Sequence, residues 1–239
     1  MLYRDVVTEL REEYLVPLQT SRFPVHGVTL ARIEVADFGL AQGEKEGFYE
    51  TGLGLITLVN KAECGKILMF FPGQFLPEHR HQGVIALPAA SSLPHEWVDL
   101  SAIVAGFEGL DEFPAGTRYV VPKDPEAWDG VAPVPGGTLI PGKQEYFHIV
   151  YGTGSLFLPG PPTTHPAHQP PASRVAFVTA RREVRLSPGV GCHLDANTAH
   201  SVVAGPNGLV VLEFSLTSRD PLDIYTDPSV RRITEIRER

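Results

Sequence analysis

Two histidines stand two residues apart at the end of the segment Gly73–His81, which reads Gly-Gln-Phe-Leu-Pro-Glu-His-Arg-His. In a β-strand, residues i and i+2 project to the same face, so the imidazoles of His79 and His81 can converge on one ion. A pair of this kind, taken alone, is more often an ordinary strand face. Further ligands are needed before it predicts a metal site.

Two later residues complete a possible ligand set. Glu145 opens an apolar strand pattern that runs to Gly152, and His200 follows a turn-rich stretch that begins at Gly189. Three imidazoles and one carboxylate suit Mn²⁺, Fe²⁺, Co²⁺, Ni²⁺ or Zn²⁺, and they leave coordination positions open for a substrate. The sequence therefore predicts one divalent metal ion, bound by the four side chains His79, His81, Glu145 and His200.

Two charged residues could add acid–base chemistry. Glu213 lies inside the apolar run Leu209–Phe214, where a charge is costly unless it is paired or used. Lys143 precedes Glu145 by two residues, so an extended chain turns both side chains toward one face. The alternatives are a buried ion pair of Glu213 with an arginine such as Arg219, and a solvated turn at Lys143.

Four further histidines do not match this ligand pattern. His148 follows Glu145 by three residues and should face the opposite side of its strand, in the core or on the surface. His193 is expected to be structural or to line a pocket. His165 and His168 fall in a Pro-rich surface loop, Pro159–Ser173, and are expected to be exposed.

The elements that must position these residues are mostly short strands. Gly (23) and Pro (22) punctuate apolar runs, which predicts an all-β, antiparallel sandwich or barrel. Residues 1–16 instead show helical spacing, and Pro17 is expected to end that helix. The expected strands are Leu30–Val35, Gly54–Val59, Lys66–Phe71, Glu145–Tyr151, Ser155–Leu158, Val175–Thr179, Glu183–Leu186 and Leu209–Leu216.

Composition narrows the function classes. No apolar run is long enough to span a bilayer, and no signal peptide is expected at the N-terminus. Two cysteines are too few for a disulfide framework and indicate the cytoplasm. The net charge of −8 argues against a nucleic-acid partner. The charged tail Arg231–Arg239 is expected to be a solvated face.

The chain divides into an N-terminal helix and extension (1–27) and a β domain (28–239). A long segment, residues 82–141, interrupts that domain between His81 and Glu145, and it contains Trp97 and Trp128. Its ends leave and return next to ligand residues, so we expect it to cover the pocket mouth or to form a dimer contact, with one tryptophan buried.

The spacing of these candidate ligands and glycines resembles the two sequence motifs of the cupin superfamily. Gly73, His79 and His81 match the first half of its first motif, and Glu145 with Gly152 match the second half. The 63 residues between His81 and Glu145 replace a gap of three or four in that motif. In the second motif, Gly189 and His200 match, whereas Asp195, Asn197 and Ala204 replace the Pro, the Gly and the final Asn.

Several phrases further resemble the D-lyxose isomerase family of cupins. They are Ile33–Leu40, Phe71–His81, Gly142–Glu145, Glu213–Asp220 and Asp223–Ser229. The resemblance implies a cupin barrel, with an N-terminal helix and a long insertion between the halves of the first motif. It also implies a homodimer with Mn²⁺ that interconverts D-lyxose with D-xylulose, or D-mannose with D-fructose.

In such a reaction a proton moves between C1 and C2 through an enediol, while a divalent ion grips the substrate oxygens. By the resemblance, Glu213 and Lys143 occupy the catalytic positions. Two other classes use the same fold: a cupin oxygenase with Fe²⁺ at this site, and a non-catalytic sugar-binding cupin. The Glu213 and Lys143 pair favours the isomerase, because an oxygenase needs neither.

Overall fold

The computed structural model describes residues 1–22, 30–93, 95–104, 113–123 and 136–238. Within these ranges the helices are α1 (Arg4–Thr20), α2 (Lys45–Glu50) and α3 (Ser101–Val104). The strands are β1 (Leu2–Tyr3), β2 (Glu34–Ala36), β3 (Leu53–Asn60), β4 (Glu63–Phe70), β5 (Phe75–Arg80), β6 (Val84–Leu87), β7 (Trp97–Asp99), β8 (Arg118–Pro122), β9 (Thr138–Ile140), β10 (Glu145–Leu158), β11 (Arg182–Leu186), β12 (Gly191–Leu194), β13 (His200–Leu216), β14 (Ile224–Tyr225) and β15 (Ile236–Arg237). No helix in the described ranges has the length and apolar character needed to cross a membrane.

The main sheet is antiparallel and runs in the order β11-β10-β13-β4-β3-β2. Strands β5, β12 and β14 attach to it through β13, β10 and β5, respectively. This arrangement confirms the all-β antiparallel fold predicted from the sequence. In β4, Leu68 and Phe70 face the interior cluster, whereas Ile67 and Met69 face a second cluster under helix α1. Burial on both faces explains why this strand is an unbroken apolar run.

Helix α1 packs on the outer face of the sheet, as its apolar spacing predicts. Its first-turn Asp5 suits the positive end of the helix dipole. The expectation that Pro17 ends the helix is wrong, because the helix continues to Thr20. One turn beyond Tyr14, Leu18 is fully buried in the same cluster. Its burial offsets the backbone hydrogen bond that proline cannot donate.

Strands β10 and β13 are each longer than the sequence pattern suggests. The expected strands Glu145–Tyr151 and Ser155–Leu158 are joined in β10, with register shifts on either side of Gly152. Gly152 has φ +75° and lies against the backbone of Gly208, so the glycine bends a continuous strand instead of ending it. Through such bends, β13 pairs with β5 near its start and with β4 along its second half.

Two of the expected strands are partly or wholly wrong. Val175–Thr179 begins as a 3-10 turn over Val175–Phe177. Thr179 and Ala180 then donate their backbone N–H groups to the buried carboxylate of Glu78, at 2.8 Å each, instead of to a neighbouring strand. Leu30–Val35 begins as a 3-10 turn over Leu30–Arg32, and its strand starts only at Glu34.

The described part of the insertion forms a separate sheet in the order β7-β8-β6-β9. Val84 pairs with Ile140, so the two ends of the segment lie side by side, as expected. The sheet packs on Leu222, one residue before Asp223. Trp97 is half-buried against Ile85 and its neighbours, not fully buried. Trp128 lies outside the described residues.

Candidate metal centre and active site

Three histidines meet inside the barrel. His79 lies in β5, His81 follows that strand directly, and His200 opens β13 opposite His79 in the ladder. Their candidate ligand nitrogens all lie within 4.8 Å of one another, and all three residues are buried. The predicted convergence of the His-x-His pair therefore holds, with the third imidazole supplied by a neighbouring strand.

Each imidazole is held through its Nδ1 atom. The partner of Nδ1 is the Pro77 carbonyl oxygen for His79 (2.9 Å), the Thr198 carbonyl oxygen for His200 (2.9 Å) and Asp223 Oδ1 for His81 (2.6 Å). Bonds of this kind fix the rings and leave Nε2 for a metal ion. The Nε2 atoms of His81 and His200 are buried without a hydrogen-bond partner, which fits a set of ligands for a cation.

Glu145, the first residue of β10, lies beside these rings. Its Oε1 is 3.1 Å from His81 Nε2, and its Oε2 is 3.3 Å from His200 Nε2. The contact of Oε2 with His200 lacks the geometry of a hydrogen bond, so this buried oxygen is left for another partner, as expected of a ligand atom. Burial favours the neutral acid, but His81 and Lys143 outweigh it and hold the pKa of Glu145 well below its usual range. The structure thus brings all four predicted ligands together.

Surrounding charges separate the pKa values of two of the imidazoles. Burial and the neighbouring rings of His200 and His81 lower the pKa of His79 well below its usual value. Burial acts the same way on His81, but the carboxylates of Asp223 and Glu145 outweigh it and raise its pKa to about 9. The His79 ring is therefore neutral at ordinary pH, whereas His81 would have to lose a proton before it could bind a cation.

Lys143 lies between Glu145, a candidate metal ligand, and Glu213, the other predicted catalytic residue. Its Nζ lies 2.7 Å from Glu145 Oε1 and 3.1 Å from Glu213 Oε1, and all three side chains are buried. Burial favours a neutral amine, but Glu145 and Glu213 outweigh it and raise the pKa of Lys143 well above its usual value. Lys143 is thus a buried cation and not a solvated turn, and it supplies the ion pair that Glu213 needs.

Behind this pair stands a second ionic group that sequence reasoning missed. Lys66 Nζ contacts Asp220 Oδ1 at 2.7 Å, and Arg232 contacts Asp220 Oδ2 at 2.6 Å. Ser218 links the groups, since it accepts hydrogen bonds from Lys66 (2.8 Å) and Lys143 (3.4 Å) and donates to Asp220. The signal for Lys66 was the same as for Glu213, a charge inside an apolar strand, and the two are direct cross-strand partners.

Arg232 corrects the expectation of a solvated tail. Its side chain is only 13% exposed and also pairs with Glu34 at 2.7 Å. Sequence reasoning also missed two residues of this site, Tyr225 in the short strand β14 and Asp223 just before that strand. Asp223 orients His81, and Tyr225 stacks on the His79 ring with centroids 5.4 Å apart. The family phrase Asp223–Ser229 contains both residues, but their role could not be predicted from it, because only the fold brings residues 223–225 against β5.

The cavity enclosed by these groups has a volume of about 40 Å³, which is room for a few waters. Apolar residues of the barrel interior form its opposite wall. They are Phe38, Leu53, Leu55, Leu68, Leu76 and Phe147. Such a lining excludes bulk water and strengthens the interactions among the charged groups.

The remaining histidines lie outside the centre. His148 is half-buried and points away from Glu145, as expected, and His193 is on the surface beside Asp195 at 3.2 Å. His165 is exposed, as expected. His168 is not, because its ring is half-buried and its Nδ1 lies 3.0 Å from Ser155 Oγ. Both cysteines are free, in agreement with the sequence.

No protein-family model matches this sequence. Solved L-ribose isomerases from Cellulomonas parahominis and Acinetobacter sp. DL28 superpose on the chain with TM-scores of 0.61 and 0.62, at 16% and 14% identity. Each comparison covers 99% of this chain and 98% of the other. At that identity the likeness establishes the fold, which is the cupin fold that the motifs indicated.

Full-length relatives specify the class. The chain is 32% identical to the D-lyxose/D-mannose isomerase of Thermosediminibacter oceani, over 100% of both proteins. It is 31% identical to a D-lyxose ketol-isomerase of Thermofilum sp., over 99% of both. The protein is therefore an aldose–ketose isomerase built on a cupin fold. It belongs to the D-lyxose isomerase family, which decides against the oxygenase and the non-catalytic binding protein.

Proposed function

We propose that this enzyme interconverts a free, unphosphorylated aldose of the D-lyxose or D-mannose type with its ketose, through an enediol and with a divalent metal ion. The observation that best supports this is the position of Lys143 Nζ, 2.7 Å from Glu145 and 3.1 Å from Glu213. One buried ammonium joins the ligand cluster to a carboxylate that has no other evident role. The names of the full-length relatives support the choice of sugars.

The metal, for which Mn²⁺ is the expected ion, would be held by the three imidazoles and by Glu145. Such an ion would supply Lewis acidity to the reaction when bound. Asp223 would keep His81 in position, through the 2.6 Å contact between its Oδ1 and Nδ1 of the ring.

The protein's own groups handle the protons. Isomerisation removes a proton from C2 of the aldose and adds one to C1, while the C2 hydroxyl proton is transferred to the carbonyl oxygen. In the proposed mechanism, the Glu213 carboxylate takes the carbon-bound proton and returns it to C1. Lys143 stays charged, because its pKa is raised despite burial, and donates a hydrogen bond to the substrate oxygen on which negative charge develops.

We expect the wall of the metal cavity to move when the substrate binds. The cavity has room for a few waters, whereas a pentose has ten non-hydrogen atoms. Asp220 and Asp223 line it from the segment that follows β13, outside the long strands, so we expect this segment to shift when sugar binds. From the resemblance to the D-lyxose isomerase family, we also propose that the enzyme is a homodimer in the cytoplasm. Light scattering of the purified protein measures its oligomeric state.

The test is turnover of D-lyxose and D-mannose by metal-reconstituted protein in D₂O, followed by NMR. A proton that exchanges with solvent while Glu213 carries it puts deuterium on the carbon that receives it, so the proposed mechanism predicts at least partial labelling of the product. The proton shuttle would be contradicted if the wild-type product carried no deuterium and the Glu213→Gln variant formed that product at the wild-type rate. Equal activity after complete removal of divalent metal would contradict the metal requirement. If the sugar phosphates turned over and the free sugars did not, the proposed substrate would be wrong.

A further inference from the structure

A second and larger cavity adjoins the metal cavity. Its volume is about 470 Å³, against about 40 Å³ for the metal cavity. The ionic group of Lys66, Asp220 and Arg232 separates the two, since these residues line both. Helix α1, strands β2 and β3 and the chain after β13 supply the other walls. The size is typical of a site for a small metabolite.

The walls of this cavity are basic, in a protein whose net charge is −8. Four cationic side chains (Arg11, Arg32, Lys66, Arg232) and two carboxylates (Glu34, Asp220) line it, an excess of 4 − 2 = +2. The two carboxylates are engaged by Lys66 and Arg232. The excess charge therefore resides on Arg11 and Arg32.

Both arginines are held in place by single bonds to backbone carbonyls. Arg11 Nε donates to the Ile33 oxygen at 2.8 Å, and a terminal nitrogen of Arg32 donates to the Thr57 oxygen at 3.1 Å. Neither guanidinium forms an ion pair with an acidic residue in the described ranges. A guanidinium has five N–H donors, so most of its donors remain for another acceptor.

We propose that this cavity binds a small phosphate-bearing molecule, at a site distinct from the metal centre. Two guanidinium groups in one cavity match the charge of a phosphate dianion, and guanidinium is the side-chain group best suited to bind phosphate oxygens. A neutral sugar would leave the excess charge uncompensated, whereas a phosphate neutralises it. Asn60 and Thr57 also line the cavity and offer polar groups to the rest of such a ligand.

The experiment is calorimetric titration of the metal-loaded, full-length protein with inorganic phosphate and, separately, with glycerol 3-phosphate. The decisive variant is Arg11→Gln with Arg32→Gln. Loss of charge-assisted hydrogen bonds from two arginines should weaken binding by at least about tenfold. Tighter binding of the ester than of phosphate would identify a phosphorylated metabolite as the ligand, and the reverse order would identify the free anion.

The matched control is Arg181→Gln with Arg182→Gln. Arg181 and Arg182 are exposed, as is Arg32, whereas Arg11 is half-buried. Both also bond to backbone carbonyls (3.3 and 3.2 Å), and both lie outside this cavity. This control changes the net charge equally and should bind phosphate as the wild type does. If the Arg11 and Arg32 variant is poorly folded, Arg32→Lys, at an exposed position, should still weaken binding. If the Arg11 and Arg32 variants bound phosphate with unchanged affinity, the phosphate would be binding to the metal and the proposal would be overturned. The absence of saturable binding at millimolar phosphate would also overturn it.

Discussion

Lys143 Nζ lies 3.1 Å from Glu213 Oε1, although the two residues are 70 positions apart in the chain. The same ammonium is 2.7 Å from Glu145, so one buried cation is shared between two buried carboxylates. A metal ion bound to Glu145 would take over part of that neutralisation. Lys143 would then be free to interact with Glu213 and with a substrate oxygen, which makes the pair sensitive to metal occupancy.

Removal of the Lys143 charge should therefore destabilise the metal-free protein more than the metal-loaded protein. We expect Lys143→Met to lower the free energy of unfolding of the metal-free form by about 3–5 kcal/mol, because two buried carboxylates lose their cation. Denaturant unfolding with and without Mn²⁺ measures the difference. The exposed Lys61→Met variant serves as the control. An equal loss in both forms would show that the metal and Lys143 do not share Glu145.

Glu213→Gln should retain metal and lose activity. Without a carboxylate to carry the proton, we expect turnover to fall by about 10²–10⁴. The metal content, measured by elemental analysis, should remain at the wild-type value, because Glu213 is not among the proposed ligands. Glu63→Gln, an exposed acid on β4, is the matched substitution and should be fully active. Full activity of the Glu213→Gln enzyme would remove this residue from the mechanism.

Replacing His79 and His81 together with alanine should abolish stoichiometric metal binding. The two rings supply half of the proposed ligands, and the remaining His200 and Glu145 cannot enclose an ion. The control is His148→Ala with His193→Ala, two histidines outside the centre. Metal titration of the purified proteins distinguishes the pairs. One tightly bound equivalent per chain in the His79 and His81 variant would refute the assignment.

The charge of Asp220 should make stability depend on pH in the acid range. Burial raises its pKa, but Lys66 and Arg232 outweigh burial and hold the pKa well below the usual value. A carboxyl whose pKa is lower in the folded state stabilises the protein above its unfolded pKa, about 4, and loses this effect as the pH falls. We expect Asp220→Asn to cost about 3–5 kcal/mol at neutral pH, because Lys66 and Arg232 lose their shared anion.

The measurement is urea unfolding of the wild type and the Asp220→Asn variant between neutral pH and the acid limit. The difference between them should shrink as the pH falls below about 4. Asp195→Asn changes an acid whose side chain is 78% exposed and should leave stability nearly unchanged. A difference that is constant across this range would show that ionisation of Asp220 has no part in its effect.

The helix beyond Pro17 should contribute to stability through Leu18. We expect Leu18→Ala to cost about 2–5 kcal/mol, because a fully buried side chain is lost from the cluster beneath α1. Val16→Ala, at a position that is 62% exposed, should change stability by no more than about 0.5 kcal/mol. Thermal unfolding compares the two variants. Equal effects would mean that the last turn of the helix does not pack as described.

The residues of the centre could be predicted because their signals are local. The spacing of His79 and His81 fixes their common face in any strand, and Glu213 is an acid in an apolar run, whatever fold surrounds it. The second ionic group could not be predicted as a unit. Lys66, Asp220 and Arg232 come from distant parts of the chain, and only the pairing of β4 with β13 and the return of the tail bring their charges together.

Residue identity and short spacing were enough to predict the strands, the ligand types and the family, because each of these depends on neighbours in the chain. Where the strands and the helix begin and end depends instead on contacts in the folded protein. Gly152 bends a strand instead of ending it because β13 continues beside it, and Pro17 lies within a helix because Leu18 is buried beyond it. Contacts between residues distant in sequence stabilise these conformations. Their free energy exceeds the local backbone preferences on which a sequence pattern depends.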